Sequence, residues 1–242
     1  MSKRCYKKPT PGVDLEELSG LLVVLEGPDS SGRSTQVSNL SKWLEKLGFP
    51  VAQVGIKRSN LVSKELETAK QGNVLSPLTM SLFYATDFYD QLENKILGAL
   101  RAGFIVLADR YIFTLMARDV VRGADPEYLE SVYSMAIVPD EVFFLETDID
   151  ILVDRTLESK KMMAYWESGM DLGLSRSWHE SFRIYQRRLA KEFARMSDKY
   201  DFVKIDSNRE VKCCDETARR DIARLLLNTE MITESQLEDE AF

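Results

Sequence analysis

The chain has 242 residues, 44% of them hydrophobic and 29% charged, with a formal net charge of −7. That is ordinary globular composition, long enough for a sizeable core, and no apolar run approaches the roughly 20 residues a membrane span needs. The acidic balance argues against a nucleic-acid partner or an anionic membrane. A single histidine, His179, disfavours a Ser-His-Asp hydrolase. Three cysteines, two of them adjacent, suit neither a disulfide framework nor a zinc site. The expectation is a reduced, soluble, cytoplasmic protein.

Leu21 to Glu26, LLVVLE, reads as a strand buried on both faces. From Ser34 to Leu47 the apolar residues Val37, Leu40, Leu44 and Leu47 fall at helical spacing, and Gly48 stops the helix. Val51 to Ile56 predicts a second strand, and Lys64 to Gln71 a short helix. Ser76-Pro77 opens a helix expected to run to Arg101, with Ser as cap and Pro in the first turn. Phe104 to Ala108 is a third strand, Tyr111 to Arg122 a helix, and Asp125-Pro126 begins another towards Ile137. Glu141 to Glu146 is a fourth strand and Asp148 to Glu158 a helix. Residues 159–175 show no clean period and read as a mobile loop. Ser177 to Met196 is an amphipathic helix, Phe202 to Ile205 a fifth strand and Val211 to Leu227 a closing helix. Strands alternating with helices imply an α/β domain with a parallel sheet covered on both faces. Ligands of such sheets bind at the carboxyl ends of the strands. The expected division is an extension over 1–20, a domain over 21–228 and an acidic, frayed tail over 229–242. Lys3 to Lys8 reads as a solvated basic tail.

Gly27 to Ser34, GPDSSGRS, has the spacing of a phosphate-binding loop, GxxxxGK[ST], with Arg33 in place of lysine. It lies between a buried strand and an amphipathic helix, the context that gives the motif meaning. Gly27 and Gly32 let the backbone turn its N–H groups inward as an anion nest, and the helix adds its positive end. Ser30, Ser31, Arg33 and Thr35 belong to the nucleotide-binding set. Arg33 offers a cation to the phosphates and Ser34 a hydroxyl to Mg²⁺. Asp109, after the third strand, is placed to assist that metal through water. The fold class is therefore a three-layer P-loop NTPase with five parallel strands.

The chain resembles the thymidylate kinase family. The likeness rests on LLVVLEGPDSSGRSTQ, on KRS at Lys57–Ser59, on SLFYATDFYDQ at Ser81–Gln91 and on DRY at Asp109–Tyr111. PDEVFFLETD at Pro139–Asp148 and ESFRIYQRR at Glu180–Arg188 extend it. The resemblance implies transfer of the ATP γ-phosphoryl group, with Mg²⁺, to a nucleoside monophosphate. That acceptor is expected to be dTMP, and the enzyme a homodimer. It further implies that Arg58 and Arg110 hold the acceptor phosphate and that Asp29 lies near the acceptor sugar and reacting phosphates. Asp29, Arg33 and Arg110 are thus the candidate catalytic residues. Tyr84 matches the aromatic that stacks on the acceptor base. Residues 159–175 occupy the lid position, with Arg155, Lys160 and Lys161 as its cations. Two positions depart from the family pattern: Phe88 replaces an arginine that reads the thymine edge, and Arg118 replaces an aromatic. Both are candidate substrate-binding residues. Two alternatives follow: a kinase for a different or modified nucleotide, or a nucleotide-binding regulatory protein with little turnover.

Overall fold

The computed structural model describes residues 3–72, 75–158 and 165–238. Five parallel strands, β1 (Leu21–Glu26), β2 (Val51–Gly55), β3 (Ile105–Asp109), β4 (Glu141–Glu146) and β5 (Val203–Asp206), form one sheet in the order β2-β3-β1-β4-β5. β1 is fully buried and pairs on both edges, Val23 facing Leu107 on β3 and Glu141 on β4. Its side chains alternate between two cores. Leu22 and Val24 join the larger core, beneath α3 (Pro77–Gln91), α5 (Ile112–Val121) and α8 (Trp178–Tyr200). Leu21, Val23 and Leu25 join the second, beneath α1 (Arg33–Lys46) and α9 (Val211–Asn228). Period-two alternation with both sets apolar is what a central parallel strand requires. The predicted α/β fold is the observed one.

Several predicted boundaries shift. The helix expected over 77–101 is interrupted: α3 gives way to one π-helical turn, Leu92–Ile96, before α4 (Leu97–Arg101). The helix opened by Pro126 stops at Val132 (α6) rather than continuing to Ile137. The reason lies at the other end of the chain. Residues 4–8 lie along 134–138: Lys7 and Lys8 donate N–H to Ser134 O, Tyr6 N–H to Ala136 O, and Val138 N–H to Arg4 O. A backbone engaged that way cannot close helical hydrogen bonds.

The same contacts correct the reading of Lys3–Lys8 as a solvated tail. Lys3 is buried and ion-paired with Asp140, and the Tyr6 ring packs edge-on against Phe113 and Tyr200. The described residues past α9 also fold back, with Ile232 buried and a short α10 (Glu234–Glu238) following. α2 (Ser63–Gly72) and α7 (Ile149–Glu158) complete the helices of the described residues. Part of the loop expected to be mobile, 165–175, is packed, with Ser168 buried and a 3₁₀ turn at Met170–Leu172.

Candidate active site

The loop between β1 and α1 has the backbone its motif requires. Gly27 sits at φ 148°, where a Cβ would meet Ser31 Oγ at 2.9 Å and the Leu145 carbonyl at 3.0 Å. Gly32 caps α1 at φ 94°. Three residues other than glycine also adopt left-handed backbone at strand ends of this site: Ser30 (φ 66°), Lys57 (φ 62°) and Arg110 (φ 73°). Such conformations cost energy and persist where the surroundings over-determine them. Here the surroundings are explicit. Arg110 N–H donates to Leu25 O at 3.0 Å, Lys57 N–H to Asp87 Oδ2 at 2.8 Å, and Thr156 Oγ1 to Ser30 Oγ at 2.9 Å.

Asp29, Ser30, Ser31, Gly32, Arg33, Ser34 and Thr35 line an open cleft of about 450 Å³ with Ile56, Arg58, Asp109, Arg110 and Arg155. Four arginines face two aspartates there, a local positive excess within an acidic protein. Asp29 accepts from Arg110, and from Arg118 at 2.9 Å, with Arg33 3.9 Å away. Burial alone would raise its pKa, but Arg110, Arg118 and Arg33 outweigh it and hold the carboxyl well below the usual range. Asp109 accepts from Ser34 Oγ at 2.7 Å and from Arg33 Nε at 3.1 Å, with Arg58 at 3.9 Å. Its pKa is lowered too, Arg33 and the Ser34 hydroxyl overcoming burial. Both carboxylates are therefore ionised. The Ser34–Asp109 pair supplies the hydroxyl and acid expected near a metal-bound phosphate. Arg110 Nε is buried without an acceptor among the described residues.

Arg33 lines the cleft but points its guanidinium at the loop. Its side chain is 7% exposed and turned onto the loop that carries it, donating through NH1 to the carbonyls of Gly27 and Pro28 and through Nε to Asp109. Burial and the neighbouring Arg110 pull its pKa down to about 10, against Asp109 and Asp29. In this arrangement the guanidinium braces the loop from within.

A second, narrow pocket adjoins the cleft, lined by residues of α3 and α5 that include Tyr84, Leu115, Arg118 and Asp119, and by Trp166 and Glu167. Arg118 joins the two, since it lines this pocket while binding Asp29. Tyr84 and Arg118 thus come together as expected. Phe88 does not join them. It is 6% exposed within an aromatic cluster, its ring 5.1 Å from those of Tyr89 and Tyr111 and 5.6 Å from Tyr133. Arg155 reaches the cleft with its guanidinium on Ser207 O at 2.9 Å. Lys160 and Lys161 lie outside the described residues.

Sequence reasoning passed over the supports of the site. Glu26 ends the apolar run of β1 and is fully buried, accepting from the Tyr111 N–H at 2.8 Å and from the Thr114 N–H and hydroxyl. It fixes the start of α5 behind Arg110. Asp87 accepts the N–H groups of Lys57 and Ser59, and Gln91 binds both N–H and C=O of Gly55. These two residues of α3 hold the loop that carries Arg58. A carboxylate and an amide one helical turn apart inside an otherwise apolar segment were the available signal. Arg122, which reads as a charge at the end of a helix, is 8% exposed in its side chain and binds both oxygens of Asp171, at 2.8 and 3.2 Å.

The family profile for thymidylate kinase matches residues 25–218. A probable thymidylate kinase 2 of Saccharolobus solfataricus is 35% identical over 196 residues, covering 81% of this chain and 92% of the relative. A probable thymidylate kinase of Staphylothermus marinus is 26% identical, covering 88% and 98%. A thymidylate kinase of Caldicellulosiruptor saccharolyticus is 30% identical, covering 57% and 70%. No helix among the described residues is long and apolar enough to cross a membrane.

Proposed function

Since the chain belongs to the thymidylate kinase family, we infer that it transfers the γ-phosphoryl group of ATP to the phosphate of dTMP, giving dTDP and ADP. The observation that carries this reading is the Asp29 junction. One carboxylate of the phosphate-binding loop grips Arg110 at the cleft and Arg118 at the adjoining pocket. Donor phosphates and an acceptor nucleotide would thus meet over the same loop.

The donor phosphates bind the inward N–H groups of residues 30–35 and the positive end of α1. The acceptor phosphate binds Arg58 and Arg110, whose planar forks suit oxyanions. Its base lies against Tyr84 in the pocket that Arg118 closes. Two anionic phosphates repel, and the arginines offset that repulsion while setting the attacking oxygen in line. The acceptor oxygen is already anionic, so it attacks phosphorus without a general base, and ADP leaves with the bonding electrons. Asp29 orients Arg110 and Arg118 before the substrates arrive. Ser34 and Asp109 would hold Mg²⁺ together with phosphate oxygens and water, and the ion would neutralise charge on the β- and γ-phosphates. Ser34 Oγ and Asp109 Oδ2 lie 2.7 Å apart, a hydroxyl and an ionised carboxylate whose chemistry fits an ion otherwise held by phosphate and water.

The exposed Leu78 and Leu82 of α3 offer an apolar face for a homodimer in the cytoplasm. A sedimentation mass of one chain would count against that dimer. ADP release from Mg²⁺-ATP is measured against dTMP, dUMP, dCMP, UMP, CMP, dGMP and dAMP. The reading expects dTMP to give the highest kcat/KM. Turnover only with another monophosphate would move the substrate, a reading that the core position of Phe88 would then explain. ATP binding without turnover on any of the seven would refute the kinase reading.

A further inference from the structure

Trp166 lines the narrow pocket with Tyr84, Leu115, Arg118 and Glu167. Its indole N–H is buried and has no acceptor among the described residues. Buried donors are almost always partnered, by protein, water or ligand. Phe88 does not line this pocket; it lines the neighbouring hollow with Arg110 and Leu115. The donors on the pocket wall belong to Tyr84, Arg118, Arg122 and Trp166, and the indole N–H is one left without a partner among the described residues.

One side chain gathers the segment around Trp166. Arg122, at the end of α5, donates NH2 to Trp166 O at 2.8 Å and NH1 to Tyr185 OH at 2.8 Å, and clasps Asp171 with two bonds. Its guanidinium lies 5.4 Å from the centre of the Trp166 ring and 5.1 Å from that of Tyr185. The backbone of the segment is tied to α5 and α8 while the indole faces the pocket. As it stands the pocket leaves about 30 Å³ free, room for a water or two. Its other walls are α3, α5 and the Arg122 cap of α5, and Leu115 also lines a neighbouring hollow with Phe88 and Arg110, so a planar base spanning the two leaves Trp166 in place.

We propose that Trp166 is a specificity-determining residue of the acceptor site, giving its indole N–H to an oxygen or ring nitrogen of the bound base, with Arg122 as its positioning residue. The proposal rests on the functional reading above and names the group that reads the base. A buried hydrogen bond to a ligand edge has a modest net worth when lost with the ring kept. Trp166→Phe should therefore weaken the acceptor about three- to tenfold and raise its KM alike, with the KM for ATP little changed.

The test titrates nucleotide-free protein with dTMP and follows tryptophan emission, then repeats the titration on W166F. In the wild type dTMP should change the emission and ATP alone should not, a reading that needs no variant to fold. In W166F the dTMP response should be lost, and calorimetry should show the weaker binding. Equal dTMP affinity in W166F, or an emission change that survives the substitution, overturns the proposal. If dTMP turns over normally and W166F binds it equally well, this inference fails and the functional reading stands. Absence of dTMP turnover in the wild type counts against that reading instead. In that case the same titration, run with the monophosphate that does turn over, decides the role of Trp166.

Discussion

Replacing Arg33 with lysine separates two roles that look alike in sequence. In the structure the guanidinium braces its own loop: NH1 binds the Gly27 and Pro28 carbonyls and Nε binds Asp109, with Ser31 Oγ at 3.4 Å. A lysine ammonium has three donors on a flexible stem and cannot reproduce that fork. It would reach one or two of these acceptors and leave the rest to water from the open cleft. Charge-assisted bonds contribute about 1.5–3 kcal/mol each, so two lost bonds partly replaced by water correspond to about 2–3 kcal/mol. For a chain of this size each kcal/mol shifts Tm by roughly 2–4 °C, so Arg33→Lys should lower Tm by about 5–10 °C. The assay is thermal unfolding of nucleotide-free protein by circular dichroism, with ATP titrated in parallel. The cost should appear without nucleotide. An unchanged Tm together with a raised KM for ATP would refute the bracing role and return Arg33 to the phosphates.

Asp87→Asn should leave one of the N–H groups of Lys57 and Ser59 without its acceptor. The loop bearing Arg58 would loosen, raising the acceptor KM several-fold and the ATP KM less, since Asp87 makes no bond to residues 27–35. Steady-state kinetics with each substrate varied would show otherwise if both constants rose equally. Glu26→Gln tests a pH dependence of stability. Burial raises the Glu26 pKa despite its bonds from Thr114 and Tyr111 and the charge of Arg33. The native state thus keeps that proton longer than the unfolded chain, whose glutamates titrate near 4.3. Stability attached to the proton is complete below that value and is lost as pH rises through the folded pKa. Glutamine keeps an acceptor for the two N–H groups and offers an N–H to the Thr114 hydroxyl. The Tm of E26Q relative to wild type should therefore climb with pH above about 4.3 and then level off. A pH-independent difference would contradict the assignment.

What the sequence made legible was whatever is encoded locally. The five strands, the glycine spacing of residues 27–34 and the strand-end positions of Arg58, Arg110 and Asp109 follow from periodicity and motif alone. What it concealed depends on contacts between distant segments. Nothing near Ser134 announces that its carbonyl receives Lys7 and Lys8, so helix α6 reads too long and the arm reads as solvated. Nothing near Arg122 shows that Asp171, Trp166 and Tyr185 converge on it from about fifty residues away. The direction of Arg33 was concealed for a different reason. The motif specifies a cation at that position but not which way it faces, and a guanidinium is long enough to fold back onto carbonyls.

That fold-back changes how charge is distributed over the reaction. With Arg33 turned onto Gly27, Pro28 and Asp109, the guanidinium forks left to face phosphate across the cleft are chiefly those of Arg58, Arg110 and Arg155. All three are themselves tethered, Arg58 to Val54 O, Arg110 to Asp29 and Arg155 to Ser207 O. The tethers hold the forks apart and oriented, so little reorganisation is left for the moment when phosphates arrive. Asp29 is the tether whose loss reaches furthest, because it also secures Arg118 at the second pocket. A carboxylate inside a phosphate-binding loop repels the substrate on its own account. It makes electrostatic sense here because the two arginines it holds carry two positive charges against its single negative one, a net positive charge shared by the cleft and the pocket.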